Sequence, residues 1–167
     1  GLAAVAHEHD VPLVVDAAWA AHFGFHPDLP QHALQLGADL VVTSAHKTLP
    51  AWSQAALVLA RTERVDPARL DAAVEAGATT SPAGAVLAST DAARALLERD
   101  GEELLGRAIE ATARVRDRLR GVEGLVVLDG PGVDPLKLTL VLSGAGVDGN
   151  AVEADLIARG MPVESAD

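Results

Sequence analysis

The run Asp39-Leu40-Val41-Val42-Thr43-Ser44-Ala45-His46-Lys47 decides the fold. Leu40 to Val42 is apolar and reads as a buried strand. It empties into two hydroxyls, a small residue, an imidazole and an amine. In open α/β sheets ligands sit beyond the carboxyl ends of the strands, so this order of residues marks a strand end as a site. Upstream, Val11-Pro12-Leu13-Val14-Val15-Asp16 is a second apolar run, and it ends in a carboxylate. If the two runs are parallel neighbours, Asp16 and Lys47 lie at one sheet edge, roughly 5–10 Å apart laterally. An amine and a carboxylate so placed can hold a pyridoxal phosphate ring from two sides. The amine forms a Schiff base, and the carboxylate pairs with the protonated pyridine nitrogen.

The flanking sequence supplies the frame. Residues 2–9 suit a helix, broken at Val11-Pro12 because proline disfavours helix in the residue before it. Leu13 to Asp16 is the first strand. Residues 17–31 form a long connection that carries aromatic side chains and two prolines. Gln31 to Leu36 is read as a short helix with Gly37 as its C-cap. After the strand Leu40 to Ser44, Lys47 is placed in a loop, and Ala55 to Ala60 is a third apolar strand. The connection through Lys47 is too short for a crossover helix, so that strand should run antiparallel to its predecessor. Asp66-Pro67 opens a helix ending at Gly77. Ala78 to Pro82 is a polar loop in which Thr79, Thr80 and Ser81 can cap the following helix. Two helices are expected next, Ala83 to Arg99 and Glu102 to Leu119, the second opened by a capping box from Asp100 to Glu103. From Gly121 the texture changes to two strands, Leu125 to Leu128 and Lys137 to Ser143, then a helix Ala151 to Arg159 capped by Asp148, then an extended piece from Met161. Residues 1–120 are therefore expected to belong to one domain, and 121–167 to the start of a smaller α+β domain.

Composition narrows the class. A chain of 167 residues can bury a core of its own. Its net charge of −11 argues against nucleic acid and against anionic membranes as partners. Without cysteine there is no disulfide, thiolate metal site or thiol nucleophile. No apolar run reaches the length of a membrane span and no signal-peptide pattern is present, so a cytoplasmic location is expected. The four aromatic rings, Trp19, Phe23, Phe25 and Trp52, cluster around the Asp16–Lys47 region. His22 and His26 have helical spacing, but Pro27 argues against a regular helix there and no acidic ligand completes a set, so no metal is assigned. The chain opens on Gly1, already inside a helical pattern, and reads as part of a longer protein.

Four ordered segments carry a resemblance. They are Val15 to Trp19 with Ala21 to His26, Gly37 to Asp39 through Ser44 to Leu49, Thr79 to Pro82 with Leu87 to Ser89, and Asp134 to Thr139. Together they resemble the Orn/Lys/Arg decarboxylase family, a branch of the fold-type-I pyridoxal-phosphate enzymes. The resemblance implies an α/β fold, the second half of a large domain with a mixed, mostly parallel sheet, followed by the start of a small domain. It implies pyridoxal 5'-phosphate as cofactor, Lys47 as the Schiff-base lysine and Asp16 as partner of the pyridine nitrogen. Ser44 and His46 would contact the cofactor at its phosphate, and Trp19 would donate to the phenolic oxygen of the ring. Lys47, Asp16 and His46 are the implied catalytic residues. The family often has an acidic residue directly after the aspartate and a histidine two residues further on, where this chain has Ala17 and Trp19.

The implied reaction is decarboxylation of lysine, ornithine or arginine in a homodimer or higher homo-oligomer. The chain alone is expected to be inactive, because it holds three strands of a larger sheet and lacks the opposite wall of the cofactor site. Two other functions compete with this one. One is a different fold-type-I activity, aminotransferase or lyase. The other is a cofactor-free remnant that serves as a dimerisation module. Without the resemblance, Asp16 reads more readily as a turn or cap residue and Lys47 as a solvated charge.

Overall fold

The computed structural model describes every residue except 62, 79, 80, 82 and 167. It divides into two compact units, Gly1–Leu104 and Leu105–Asp167.

The first unit is built on a three-stranded sheet in the order β1-β2-β3, formed by Val14–Asp16, Leu40–Thr43 and Leu57–Ala60. β1 and β2 are parallel, with Asp16 beside Val42. β2 and β3 are antiparallel, with Thr43 beside Leu57. The sheet is thus mixed, as the short connection through Lys47 requires. β2 is the central strand, and its alternation decides which face is core: Val41 and Thr43 are buried, whereas Val42 between them is exposed. Small residues at both ends of β2, Ala38 and Ala45, are also fully buried. So are Ala55 before β3 and Ala93 and Leu97 further on. A core made largely of alanine lets backbones approach closely but supplies little apolar area per residue, so polar anchors carry more of the positioning.

The chief anchor is Asp39, which is 2% exposed. Its Oδ2 accepts the Leu13 backbone N–H at 2.8 Å and pairs with His7 Nε2 at 2.7 Å. Its Oδ1 lies 3.8 Å from an Arg64 guanidinium nitrogen. The Asp39 main chain bonds to Leu13 on one side and Arg61 on the other. One residue thereby ties helix α1 (Leu2–Glu8), the start of β1, the start of β2 and the exit of β3. The Leu13 N–H bond is the main reason the Asp39 carboxyl is held below its ordinary value. Its burial opposes this, while His7 and Arg64 add to it.

Several sequence expectations are corrected. Residues 31–36 form turns, not a helix. The segment closes instead on Gln35 N–H to His32 O and Ala38 N–H to Ala33 O. Gly37 does take the left-handed conformation, φ +98°, and a Cβ there would meet the Ala3 Cβ at 2.9 Å, so the close approach of α1 needs glycine. Lys47 lies not in a loop but in a single helical turn, α2 (Ala45–Thr48). This turn is no crossover, since β3 returns antiparallel. The two helices expected over residues 83–119 are one, α4 (Gly84–Leu119). Gly101 does not break it: its buried backbone packs against Phe25, whose carbonyl would lie 3.4 Å from an added Cβ. Asp100 lies inside α4, where it pairs with Arg99 at 2.7 Å, so no helix starts there for the expected capping box to open.

Before α4, helix α3 (Pro67–Gly77) starts where expected, with Asp66 Oδ1 accepting from Ala68 and Arg69 N–H. Of the polar loop before α4, Thr79, Thr80 and Pro82 lie outside the described residues.

The second unit contains the last turns of α4, a two-stranded antiparallel ribbon and α5 (Gly149–Ala158). The ribbon pairs β4 (Val126–Val127) with β5 (Leu140–Val141), shorter than the strands expected from residues 125–128 and 137–143. No strand forms from Met161 on among the described residues. Asp148 caps α5 as expected, accepting from Ala151 N–H at 3.1 Å. Arg116, 5% exposed, was not singled out by sequence. Its guanidinium donates to the carbonyls of Asp134, Pro135 and Lys137 and so fixes the loop before β5. Loop geometry of this kind leaves the expected strand from Lys137 little room to begin early.

Asp39→Asn keeps the shape but surrenders the ion pairs, and we expect it to destabilise the first unit by about 1–3 kcal/mol in urea denaturation followed by circular dichroism. An unchanged midpoint would show that the cluster anchors nothing. Because the folded carboxyl sits below the unfolded one, its contribution is complete at neutral pH and is lost as pH falls below about 4. The difference between the unmodified chain and Asp39→Asn should therefore shrink in acid, measured as the urea midpoint against pH.

Candidate active site

The residues singled out by sequence gather at the carboxyl ends of β1 and β2. Asp16 is the last residue of β1, and its Oδ1 accepts the Ala18 N–H at 3.0 Å. That bond turns the chain sharply as it leaves the sheet. The turn is held to β2 from both sides of one residue. Ala17 N–H donates to Val42 O at 2.8 Å, and Ala17 O accepts from the Thr43 hydroxyl at 2.8 Å. Ala20 N–H then bonds back to Ala17 O at 2.9 Å, which presents Trp19 on the outside of the turn.

Beyond β2, Ser44 is the N-cap of α2, in extended backbone, and its hydroxyl makes no capping bond. His46 is fixed by one carbonyl: Ala55 O lies 3.2 Å from its backbone N and 2.9 Å from its Nδ1. A carbonyl can only accept, so Nδ1 carries the proton and Nε2 of the neutral ring is an acceptor. Lys47, next along the turn, places its Nζ 4.7 Å from the centroid of the Trp19 ring, a cation–π arrangement. Asp16 and Lys47 are exposed, Trp19 is 39% exposed, and Ser44 and His46 are half-buried. The structure thus brings Asp16, Trp19, Ser44, His46 and Lys47 to one sheet edge, with Trp19 and Lys47 in contact.

Other polar residues have other tasks. His22 is 1% exposed and packs edge-on against Phe23, with ring centroids 4.8 Å apart. His26 Nδ1 accepts the Asp28 N–H at 3.1 Å. Among the described residues no group of three or more His, Asp and Glu is placed to hold a metal ion, and no helix is long and apolar enough to cross a membrane. Sequence reasoning passed over two supporting groups. Thr43, read only as one of two terminal hydroxyls, latches the β1 exit turn. Ser89 accepts the Trp52 N–H at 3.1 Å and donates to Val86 O at 2.8 Å, fixing the loop after Lys47 to α4. Asp39 carried a signal of its own, a charge directly ahead of an apolar strand, where only a paired carboxylate can stay buried.

The amine, the carboxylate, the indole, the hydroxyl and the imidazole form a donor set that suits a phosphorylated pyridine aldehyde. The carboxylate suits a protonated ring nitrogen and the amine suits the aldehyde.

Comparison with known proteins agrees with this architecture. The constitutive lysine decarboxylase of E. coli superposes over 94% of this chain and 29% of its own, with a TM-score of 0.71 and 23% identity. An alanine–glyoxylate aminotransferase from Nostoc sp. superposes over 95% of this chain and 45% of its own, with a TM-score of 0.66 and 17% identity. The fold is the α/β fold of the fold-type-I enzymes, represented here by part of its large domain and further α+β structure. In sequence, the arginine decarboxylase of Bacillus subtilis is 33% identical over 157 residues, and that of Halalkalibacterium halodurans 33% over 155. The chain spans 32% of the length of each. The family model described as Orn/Lys/Arg decarboxylase, major domain, matches residues 2–131. With that match over most of its length, the chain belongs to the Orn/Lys/Arg decarboxylase family.

Proposed function

We propose that this chain supplies one wall of a pyridoxal-phosphate site that decarboxylates a basic amino acid, lysine, ornithine or arginine. The observation that carries the proposal is the meeting of Lys47 and Trp19 at the end of β2, beside the parallel strand that ends in Asp16. Lys47 would hold the cofactor covalently through Nζ. Asp16 would keep a proton on the pyridine nitrogen, and Trp19 would donate its indole N–H to the phenolic oxygen. Ser44 and His46 would bind the phosphate. Since His46 Nδ1 is committed to Ala55 O, its contact would be made by Nε2. Bound pyridoxal phosphate supplies an electron sink for the pair left on the α-carbon when carbon dioxide departs. The chain's own part is to fix the ring nitrogen's proton and to present the amine.

The exposure of both Asp16 and Lys47 supports placing the remaining wall elsewhere, in a longer protein about three times this length. That protein would act in the cytoplasm as a homodimer or higher homo-oligomer. In that protein residues 1–120 complete the large domain and residues 121–167 begin the small one. The isolated chain is then not an active decarboxylase, because water at the open ring face would compete with the Asp16 pairing.

The test is made on the longer protein with each of the three amino acids, following both carbon dioxide and keto acid. We expect carbon dioxide, its release abolished in Lys47→Ala and lowered about a hundredfold or more in Asp16→Ala. Wild-type turnover in Asp16→Ala would remove the carboxylate from the mechanism. Keto acid without carbon dioxide would make the protein an aminotransferase.

A further inference from the structure

We infer that Trp19 is a positioning residue for Lys47: the face of its indole is the seat on which the ammonium rests before it reacts. The inference rests on the reading of Lys47 as the cofactor-bearing amine and adds a task for Trp19 that the hydrogen-bonding role of its N–H does not include.

Three observations converge on it. The Lys47 Nζ stands 4.7 Å from the ring centroid, within the range in which a cation is attracted to the electron-rich face. Neither partner is free to wander at its backbone. Trp19 is carried by a turn whose Ala17 is bonded to β2 through both its N–H and its carbonyl. Lys47 is carried by a helical turn whose N–H bonds to Ser44 O at 3.3 Å and whose neighbour His46 is fixed twice to Ala55 O. The two turns follow adjacent parallel strands, so the sheet register sets how far apart the backbones of Trp19 and Lys47 stand. Lastly, a long flexible side chain at an exposed site loses conformational freedom when it is held, and the ring face supplies a compensating attraction.

The consequence is a division of labour within one residue. The indole edge carries a donor, and the indole face holds the cation. The amine cannot rest on the ring face and reach an electrophile at once, so an amine that reacts must give up this contact. Trp19 therefore fixes where the amine waits and holds back its indiscriminate reaction with other electrophiles.

The chain's two lysines, Lys47 and Lys137, make the test direct, because one serves as an internal reference for the other. It is run on the purified 167-residue chain without cofactor, so a failure of the decarboxylase reading leaves the result intact, and a failure here leaves that reading intact. In the unmodified chain, nuclear magnetic resonance should show the Lys47 ε-methylene protons displaced upfield by the indole ring current relative to those of Lys137. Acetylation by limiting acetic anhydride, quantified by mass spectrometry, should give a Lys47-to-Lys137 ratio that rises about two- to fivefold in Trp19→Leu. Trp19→Phe, which keeps a ring face without the N–H, should stay within about twofold of the unmodified chain. Absence of the ring-current shift overturns the inference whether or not the variants fold. So does an unchanged acetylation ratio in a folded Trp19→Leu chain.

Discussion

A carboxylate almost wholly removed from water must be met by donors, and in this chain that requirement falls on Asp39. Its partners come from α1, the start of β1 and the segment after β3, so satisfying one side chain fixes three other pieces of backbone. The consequence for the sheet is a register. With Leu13 N–H bonded to the Asp39 carboxylate and Leu13 O to the Asp39 and Leu40 N–H groups, Val14 falls opposite Leu40 and Asp16 opposite Val42. A slip of one residue would turn Val41 outward and Val42 inward, since side chains alternate along a strand, and would also strand the carboxylate. The buried charge and the apolar face therefore specify the same pairing.

The opposite end of the sheet inherits that register and uses it. Ala17 closes the β1 exit on Val42 and Thr43, and Ala55 closes the β2 exit on His46. Each closure lies one or two residues from a side chain with chemistry to do. Asp39 and the Asp16–Lys47 edge thus sit at the two ends of β2, one buried and saturated with partners, the other open. That polarity is what places an amine and a carboxylate together without a packed wall around them. It fits a chain that matches the major domain of its family while spanning about a third of the length of its relatives.

Much of this was legible in the sequence because it follows from local chemistry. The apolar runs ending in Asp16 and in Ser44-Ala45-His46-Lys47 mark both strands and their parallel relation, and the seven residues between Lys47 and Ala55 force the antiparallel return. Asp66-Pro67 and Asp148 announced their helices through side chains that cap their own turns. What was not legible depended on tertiary contacts. Gly101 looks like a helix break, yet α4 runs through it, and the Phe25 backbone and Leu97 leave little room there for a side chain. Residues 31–36 looked helical, but α1 crowds Gly37 and the segment closes as turns. Arg116 reads as a surface charge on an amphipathic helix until the loop carbonyls of Asp134, Pro135 and Lys137 are seen to converge on it. Within the site, the chain order singled out Asp16, Trp19, Ser44, His46 and Lys47, but neither the latch from Thr43 to Ala17 nor the contact between Trp19 and Lys47, because nothing in a linear sequence says which way a side chain turns.

Every role proposed for this edge depends on Lys47 being the amine that captures the cofactor. The longer protein carrying this chain would be mixed with pyridoxal phosphate, reduced with borohydride, digested and mapped by mass spectrometry. A single reduced adduct on the peptide containing Lys47 is the predicted result. An adduct on Lys137 or on a lysine outside this chain, with Lys47 unmodified, would contradict it.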